Sequence, residues 1–205
     1  IHGTNYILNN KNRFFTYFLS LFALLIAIVF FTNKNEQKRL STNTYSSSNQ
    51  NNYIDGNKEL ALIGFKNILK SYGKSESYNQ ALIYVLSDAI DNKNSVLVDS
   101  LINDNNFSSN DSFLNAQFFS LKGDYYFNVD DYDKAENNYS KAIAFVPNHF
   151  DQLAKYTLSL VDVYFATNQL SKALLILDKF NMEELSYSYK AKFEKYKYRI
   201  DYLSK

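Results

Sequence analysis

The sequence predicts an all-α chain, built as antiparallel helix pairs behind a single N-terminal transmembrane helix. Three observations predict it. From Asn57 onward apolar residues recur at the three-to-four-residue spacing of a helix face. Five Gly and one Pro leave little punctuation for a β-rich fold. An uncharged apolar run near the N-terminus reaches the length of a bilayer core. The 205 residues accordingly divide into an N-terminal tail (1–13), a transmembrane helix (14–31), a flexible linker (32–56) and a helical repeat domain (57–205).

Composition narrows the function classes. Lys and Arg (22) nearly balance Asp and Glu (21), leaving a net charge of +1, so nucleic acid is not expected as a partner. The absence of cysteine excludes disulfides, thiol nucleophiles and cysteine-ligated zinc. Ile1 in place of Met is what a truncated or processed start would show.

Phe14 to Phe31 reads FFTYFLSLFALLIAIVFF, without a charge. A cleaved signal peptide shares the basic start and the apolar run. The run is long for a signal core, however, and no small-x-small site follows at Thr32-Asn33-Lys34. A core helix of a soluble protein would carry a polar face, and this run is apolar all round. A retained single span is therefore expected. Lys11 and Arg13 precede it and Lys34, Lys38 and Arg39 follow, a count that leans weakly toward a cytoplasmic C-terminal side. Ser41 to Asn52, STNTYSSSNQNN, has almost no apolar content and is expected to be a flexible tether.

Leu60, Ile63 and Ile68 mark a first amphipathic helix ending near Tyr72, before the break Gly73-Lys74-Ser75. Ala81, Leu82, Val85, Leu86 and Ala89 continue in a second helix, and Val96, Leu97, Leu101 and Ile102 in a shorter third, ahead of the polar stretch Asn103 to Asn110. These read as a degenerate, terminal unit of an array. A clear helix pair follows over Ser112–Asn128 and Tyr132–Val146. Small Gly123 and Ala135 sit where two helices approach, Phe119, Tyr126, Tyr132 and Tyr139 fill the gap, and Pro147 ends the second helix. YFNVDDYDKA beginning near Tyr126 is echoed 38 positions on by YFATNQLSKA from Tyr164. A last helix over Met182–Leu203 carries Tyr189, Phe193, Tyr196, Ile200 and Leu203 on one stripe. Its basic residues, Lys190, Lys192, Lys195, Lys197 and Arg199, read as the solvated face of a capping helix.

The order Ala116, Phe119, Gly123, Tyr126, Tyr132, Ala135, Tyr139, Ala142, Pro147 resembles the tetratricopeptide repeat, with its roughly 34-residue signature. Lys122 departs from it where leucine is usual, and Asp130 where glycine is frequent. In the second unit Val161, Phe180 and Leu185 replace its glycine, alanine and proline. The resemblance implies a tetratricopeptide-like α-solenoid whose first helices line a protein-binding groove. On the clear repeat that places Gln117, Ser120, Asp124, Phe127 and Asn128 in the groove; on its follower, Lys155, Leu158, Asp162, Phe165 and Ala166. Aromatic platforms with carboxylates suit an extended segment carrying apolar and basic side chains. They do not suit the carboxylate-clamp repeats, which need lysine and asparagine where Ser120 and Asp124 stand.

No catalytic constellation emerges, so an enzyme is not expected, and neither is a cofactor or a bound metal. His2 and His149 have no ligand partners at metal spacing. Asp130, Asp131 and Asp133 coincide with a helix start and read as caps, in preference to a calcium site. An N-terminal span, a polar tether and a helical repeat domain together resemble the bacterial ancillary SecYEG translocon subunit family. That resemblance overrides the charge count. It implies a single-pass protein of the bacterial inner (plasma) membrane, with its repeats in the periplasm, assisting newly exported proteins beside translocon and chaperone. The alternatives are a structural adaptor for a cell-envelope complex (division or outer-membrane assembly) and a cytoplasm-facing regulator.

Overall fold

The computed structural model describes residues 11–71, 75–103, 107 and 109–204. It contains α-helices and one 3-10 turn and, among the described residues, no strand. We number the helices α1 (Lys11–Ile54), α2 (Lys58–Ser71), α3 (Glu76–Asp91), α4 (Ser95–Ile102), α5 (Ser112–Asn128), α6 (Tyr132–Phe145), α7 (Phe150–Ala166), α8 (Leu170–Asp178) and α9 (Tyr187–Leu203). The 3-10 turn, Met182–Glu184, precedes α9 and shortens the last helix expected from the sequence. The break at Gly73-Lys74, half of the stretch Asn103–Asn110, and His2 lie outside the described residues.

Helices alternate between two rows. Each of α1, α3, α5 and α7 packs on the next odd-numbered helix, and α2, α6 and α8 bridge the neighbours that flank them. This is the expected α-solenoid of antiparallel pairs. Each pair turns on one residue with left-handed backbone: Gly56 (φ 89°), Lys93 (54°), Asp130 (59°) and Asn168 (55°), spaced 37, 37 and 38 apart. The hydrogen bonds repeat as well. Asn94, Asp131 and Gln169 donate their backbone N–H to the carbonyls of Ala89, Tyr126 and Tyr164 at 2.7–2.9 Å, and Asn57 does the same to Asn52 at 2.8 Å. These bonds span five residues across a left-handed C′ position, the signature of a Schellman ending. Asn94 and Asp131 then cap the next helix through their side chains, accepting from Leu97 N–H (3.1 Å) and Lys134 N–H (3.2 Å). Asp131 is thus the cap expected of it, and no group of three or more potential metal ligands clusters among the described residues.

Among the described residues the array therefore has four such turns, one more than the sequence suggested, because α1 supplies the first. The flexible linker expected over 32–56 is instead helical through Ile54. Thr42, Ser46 and Asn49 are buried on one face of α1. Ser46 Oγ and Gln50 Nε2 both donate to Gln80 Oε1, at 3.1 and 2.9 Å, and Ser77 Oγ donates to Asn43 Oδ1 at 2.6 Å. Asn49 lies against Gly64, in space that a Cβ at residue 64 would occupy. Small polar side chains that exchange hydrogen bonds can order a helix with almost no apolar pattern. The stripe ends in Tyr53, whose ring meets Tyr84 at 4.9 Å, and Tyr84 stacks on Phe65 at 4.4 Å.

The N-terminal half of α1 is different. An 18-residue window there has a mean hydropathy of 2.4, with none of it buried. Phe18, Leu21, Phe22, Leu25 and Phe31 are all about half exposed or more. By length and composition this segment can cross a membrane.

The clear repeat folds as its residue sizes require. Ala116, Ala135 and Ala142 are fully buried, and Gly123 faces the ring of Tyr139. Lys122, where leucine is usual, extends its Nζ to the Ile102 carbonyl at the end of α4 (3.2 Å) and lies 5.4 Å from the Phe118 ring centre. A cation at a helix C-terminus is favourable. Burial lowers the ammonium pKa, and nearby Lys141 lowers it further.

Candidate protein-binding groove

The residues expected to line a groove lie on α5 and α7, and the structure sorts them. Gln117 and Asn128 are exposed on α5, Ser120 is buried, and Phe127 is half-buried with Tyr132 edge-on at 5.7 Å. Asn128 borders a separate recess with Ile90, Lys93 and Val98. On α7, Lys155, Leu158 and Asp162 converge on one cleft of about 490 Å3, and Ala166 is exposed outside it. Phe165 stands at the edge of that cleft, with its ring 5.7 Å from Tyr196 and 4.5 Å from the guanidinium of Arg199.

The two recurring carboxylates are engaged within the fold. Tyr139 donates its hydroxyl to Asp124 Oδ1 at 2.7 Å, and Tyr196 donates to Asp162 Oδ1 at 2.6 Å. Burial raises the pKa of Asp124, opposed by the Tyr139 bond and by Lys155 nearby. Asp162 follows the same pattern: burial raises it, and the Tyr196 bond and Arg199 pull it down. The tyrosines respond in turn. Burial is the largest cause raising Tyr139 and Tyr196, and their carboxylate acceptors raise them further. Asp124 and Asp162 each use one carboxylate oxygen to tie neighbouring helices together, α5 to α6 and α7 to α9.

The opposite wall of the cleft comes from α9: Tyr189, Lys192, Lys195, Tyr196 and Arg199. Lys192, Lys195 and Arg199 are exposed, as expected of the solvated face of a capping helix, and they line this cleft as well. Their spacing held the signal, since residues 189, 192, 196 and 199 recur at three and four and so share one helix face. What no local pattern could show is that this face meets Lys155 on α7. The cleft is lined by four cations and by Asp162, whose carboxylate accepts from Tyr196.

His149 lies at the start of α7 with its ring 4.3 Å from Phe113, a packing role. A second recess, of about 420 Å3, opens among Ile143, Phe150, Leu153, Leu160, Ile176 and Phe180 and is mainly apolar.

Comparison with known proteins identifies a family for the chain. No curated protein matches the chain, and no solved structure does. Residues 81–199, from α3 to the cationic face of α9, match the ChAPs family (Chs5p-Arf1p-binding proteins). That stretch is more than half of the chain and holds both helix pairs that carry the groove residues. The chain belongs to the ChAPs family, whose members are helical-repeat, protein-binding adaptors.

Proposed function

We propose that this chain is a membrane-anchored adaptor that holds another protein against the row formed by α3, α5, α7 and α9. The observation that carries this reading is the alignment of α5 and α7 residues beside an open cleft, in a chain with no catalytic cluster among the described residues. Gln117, Asp124, Phe127 and Asn128 form one half of the face and Lys155, Leu158, Asp162 and Phe165 the other. The family's name, which records binding to Chs5p and Arf1p, supports a protein as the class of ligand. Anchoring through Phe14–Phe31 follows from a helix apolar on all sides that the repeats leave uncovered.

Photocrosslinking residues installed at Gln117 and Asn128 in the membrane-bound chain test this. Crosslinks to a partner should form there and not from Lys141 or Leu175, exposed on α6 and α8. Equal crosslinking from both rows would overturn the assignment of the face.

A single span leading directly into repeats supports a finer placement beside the SecYEG translocon, with the repeats periplasmic and assisting newly exported proteins. A topology reporter fused after Lys205 tests it. Activity on the cytoplasmic side would remove the translocon placement and leave the adaptor.

A further inference from the structure

The cleft between α7 and α9 carries a charge that neither helix shows alone. Lys155 from α7 and Lys192, Lys195 and Arg199 from α9 face the same space. The one carboxylate on its wall, Asp162, accepts from the Tyr196 hydroxyl through Oδ1 and sets one negative charge against these four cations. Among the described residues none of the four cations has a carboxylate within 4.0 Å. Lys197, one helical step away, does pair with Asp178 at 2.6 Å, so α9 is not short of acidic neighbours elsewhere. The whole chain has a net charge of +1, so this excess comes from the fold's arrangement and not from a basic composition.

The cleft also offers apolar contact. Leu158, 7% exposed, forms part of its floor, and the rings of Tyr189 and Tyr196 stand in its wall. Four cations facing a single carboxylate leave a positive excess that attracts an anionic ligand, and partly desolvated walls strengthen that attraction. The apolar floor selects for carbon as well as charge. We propose that the α7–α9 cleft binds an acidic segment of a partner protein, an extended stretch of Asp or Glu interspersed with apolar side chains. This deepens the adaptor reading and rests on it, naming the chemistry of the ligand. A recess is the form that an extended chain enters, whereas a plane of lipid headgroups would bridge its rim and leave Leu158 untouched.

The test uses the 205-residue chain in neutral detergent and a fluorescein-labelled peptide of three Glu-Glu-Leu units, read by fluorescence anisotropy. The glutamine counterpart, three Gln-Gln-Leu units, serves as the neutral probe. The acidic peptide should bind saturably and weaken as salt is raised, and the neutral one should not bind. Reversing Lys192→Glu and Lys195→Glu together should weaken binding by about tenfold or more. Both residues are exposed, so the fold should survive, and far-ultraviolet circular dichroism verifies that it does. Lys66→Glu, exposed on α2, is the control and should leave binding unchanged. Equal binding of the neutral peptide, or an equal loss in the control, would overturn the proposal. So would sedimentation with phosphatidylserine vesicles through Lys192 and Lys195 without peptide binding. If the peptide does not bind but crosslinks still form from Gln117 and Asn128, the acidic ligand fails and the adaptor stands. If the peptide binds while both helix rows crosslink equally, the cleft stands and the assigned adaptor face fails.

Discussion

The ring of Tyr139 lies over Gly123 so closely that a Cβ at residue 123 would stand 2.6 Å from two of its carbons. The ring cannot swing aside freely, because its hydroxyl is held by Asp124 at 2.7 Å. Gly123→Ala gains about 1 kcal/mol of helix propensity. Overpacking at a fixed ring costs about 1–3 kcal/mol, and the second effect should win. Thermal melting should show a lower midpoint, partly recovered when Tyr139→Leu is added. Ala135→Phe, at a fully buried position, should lower it by a similar amount. A raised midpoint for Gly123→Ala would refute the close approach.

The turns give a prediction of opposite sign. Lys93, Asp130 and Asn168 occupy left-handed backbone that glycine adopts without a Cβ penalty. Asp130 also accepts from the Tyr132 hydroxyl at 2.6 Å, which its replacement would forfeit. Lys93→Gly is the cleaner change and should stabilise by about 0.5–1 kcal/mol. Gly56→Ala, at the equivalent turn, should destabilise by about 1 kcal/mol. Urea unfolding of the two variants checks both signs, and the same direction in both would count against a shared turn geometry.

These turns also show what a sequence displays and what it hides. The pair α5–α6 was legible because large and small residues signal packing directly, and α5 begins and ends where its pattern predicts, at Ser112 and Asn128. The 37-to-38-residue period was harder to read, because its most regular feature is a backbone angle held by four different residues. The C-terminal half of α1 was hidden for another reason. Thr42, Ser46 and Asn49 recur at helical spacing, but hydropathy cannot mark a buried face made of polar side chains. The cleft depended on long-range pairing: Lys155 and Arg199 lie far apart in sequence and meet only when α9 docks on α7.

Alkaline pH should weaken the array through its tyrosines. Burial and the Glu136 carboxylate raise the Tyr164 phenol from 10.0 to about 12. Unfolded phenols lose their protons near 10 while this one keeps its own. Its stabilisation is therefore complete below pH 10 and is lost as pH rises toward 12. Tyr164→Phe removes that proton, and Glu136 keeps Lys172 3.8 Å away. The melting midpoint of the unaltered chain should fall more steeply between pH 10 and 12 than that of Tyr164→Phe. Lysine deprotonation contributes to both chains alike, so parallel curves would mean that the Tyr164–Glu136 bond (2.9 Å) does not persist in solution.

The α1 seam decides how the apolar helix communicates with the repeats. If α1 is continuous, its apolar half and the first helix pair are one rod. At 1.5 Å per residue, the buried face beginning at Thr42 then stands about 16 Å beyond Phe31. A loose tether would let that distance vary. Because the chain has no cysteine, an introduced pair reports on the seam without interference. Ser77 Oγ and Asn43 Oδ1 are 2.6 Å apart across it. Asn43→Cys with Ser77→Cys should close a disulfide rapidly under mild oxidation in the membrane-bound chain, detected as a mobility shift reversed by reductant. Asn43→Cys with Lys66→Cys, exposed on α2, is the mismatched control and should stay reduced. Equal rates for the two pairs are what a mobile linker would produce, since it samples both cysteines; a helix packed by Ser46, Asn49 and Gln50 against α2 and α3 closes only the first.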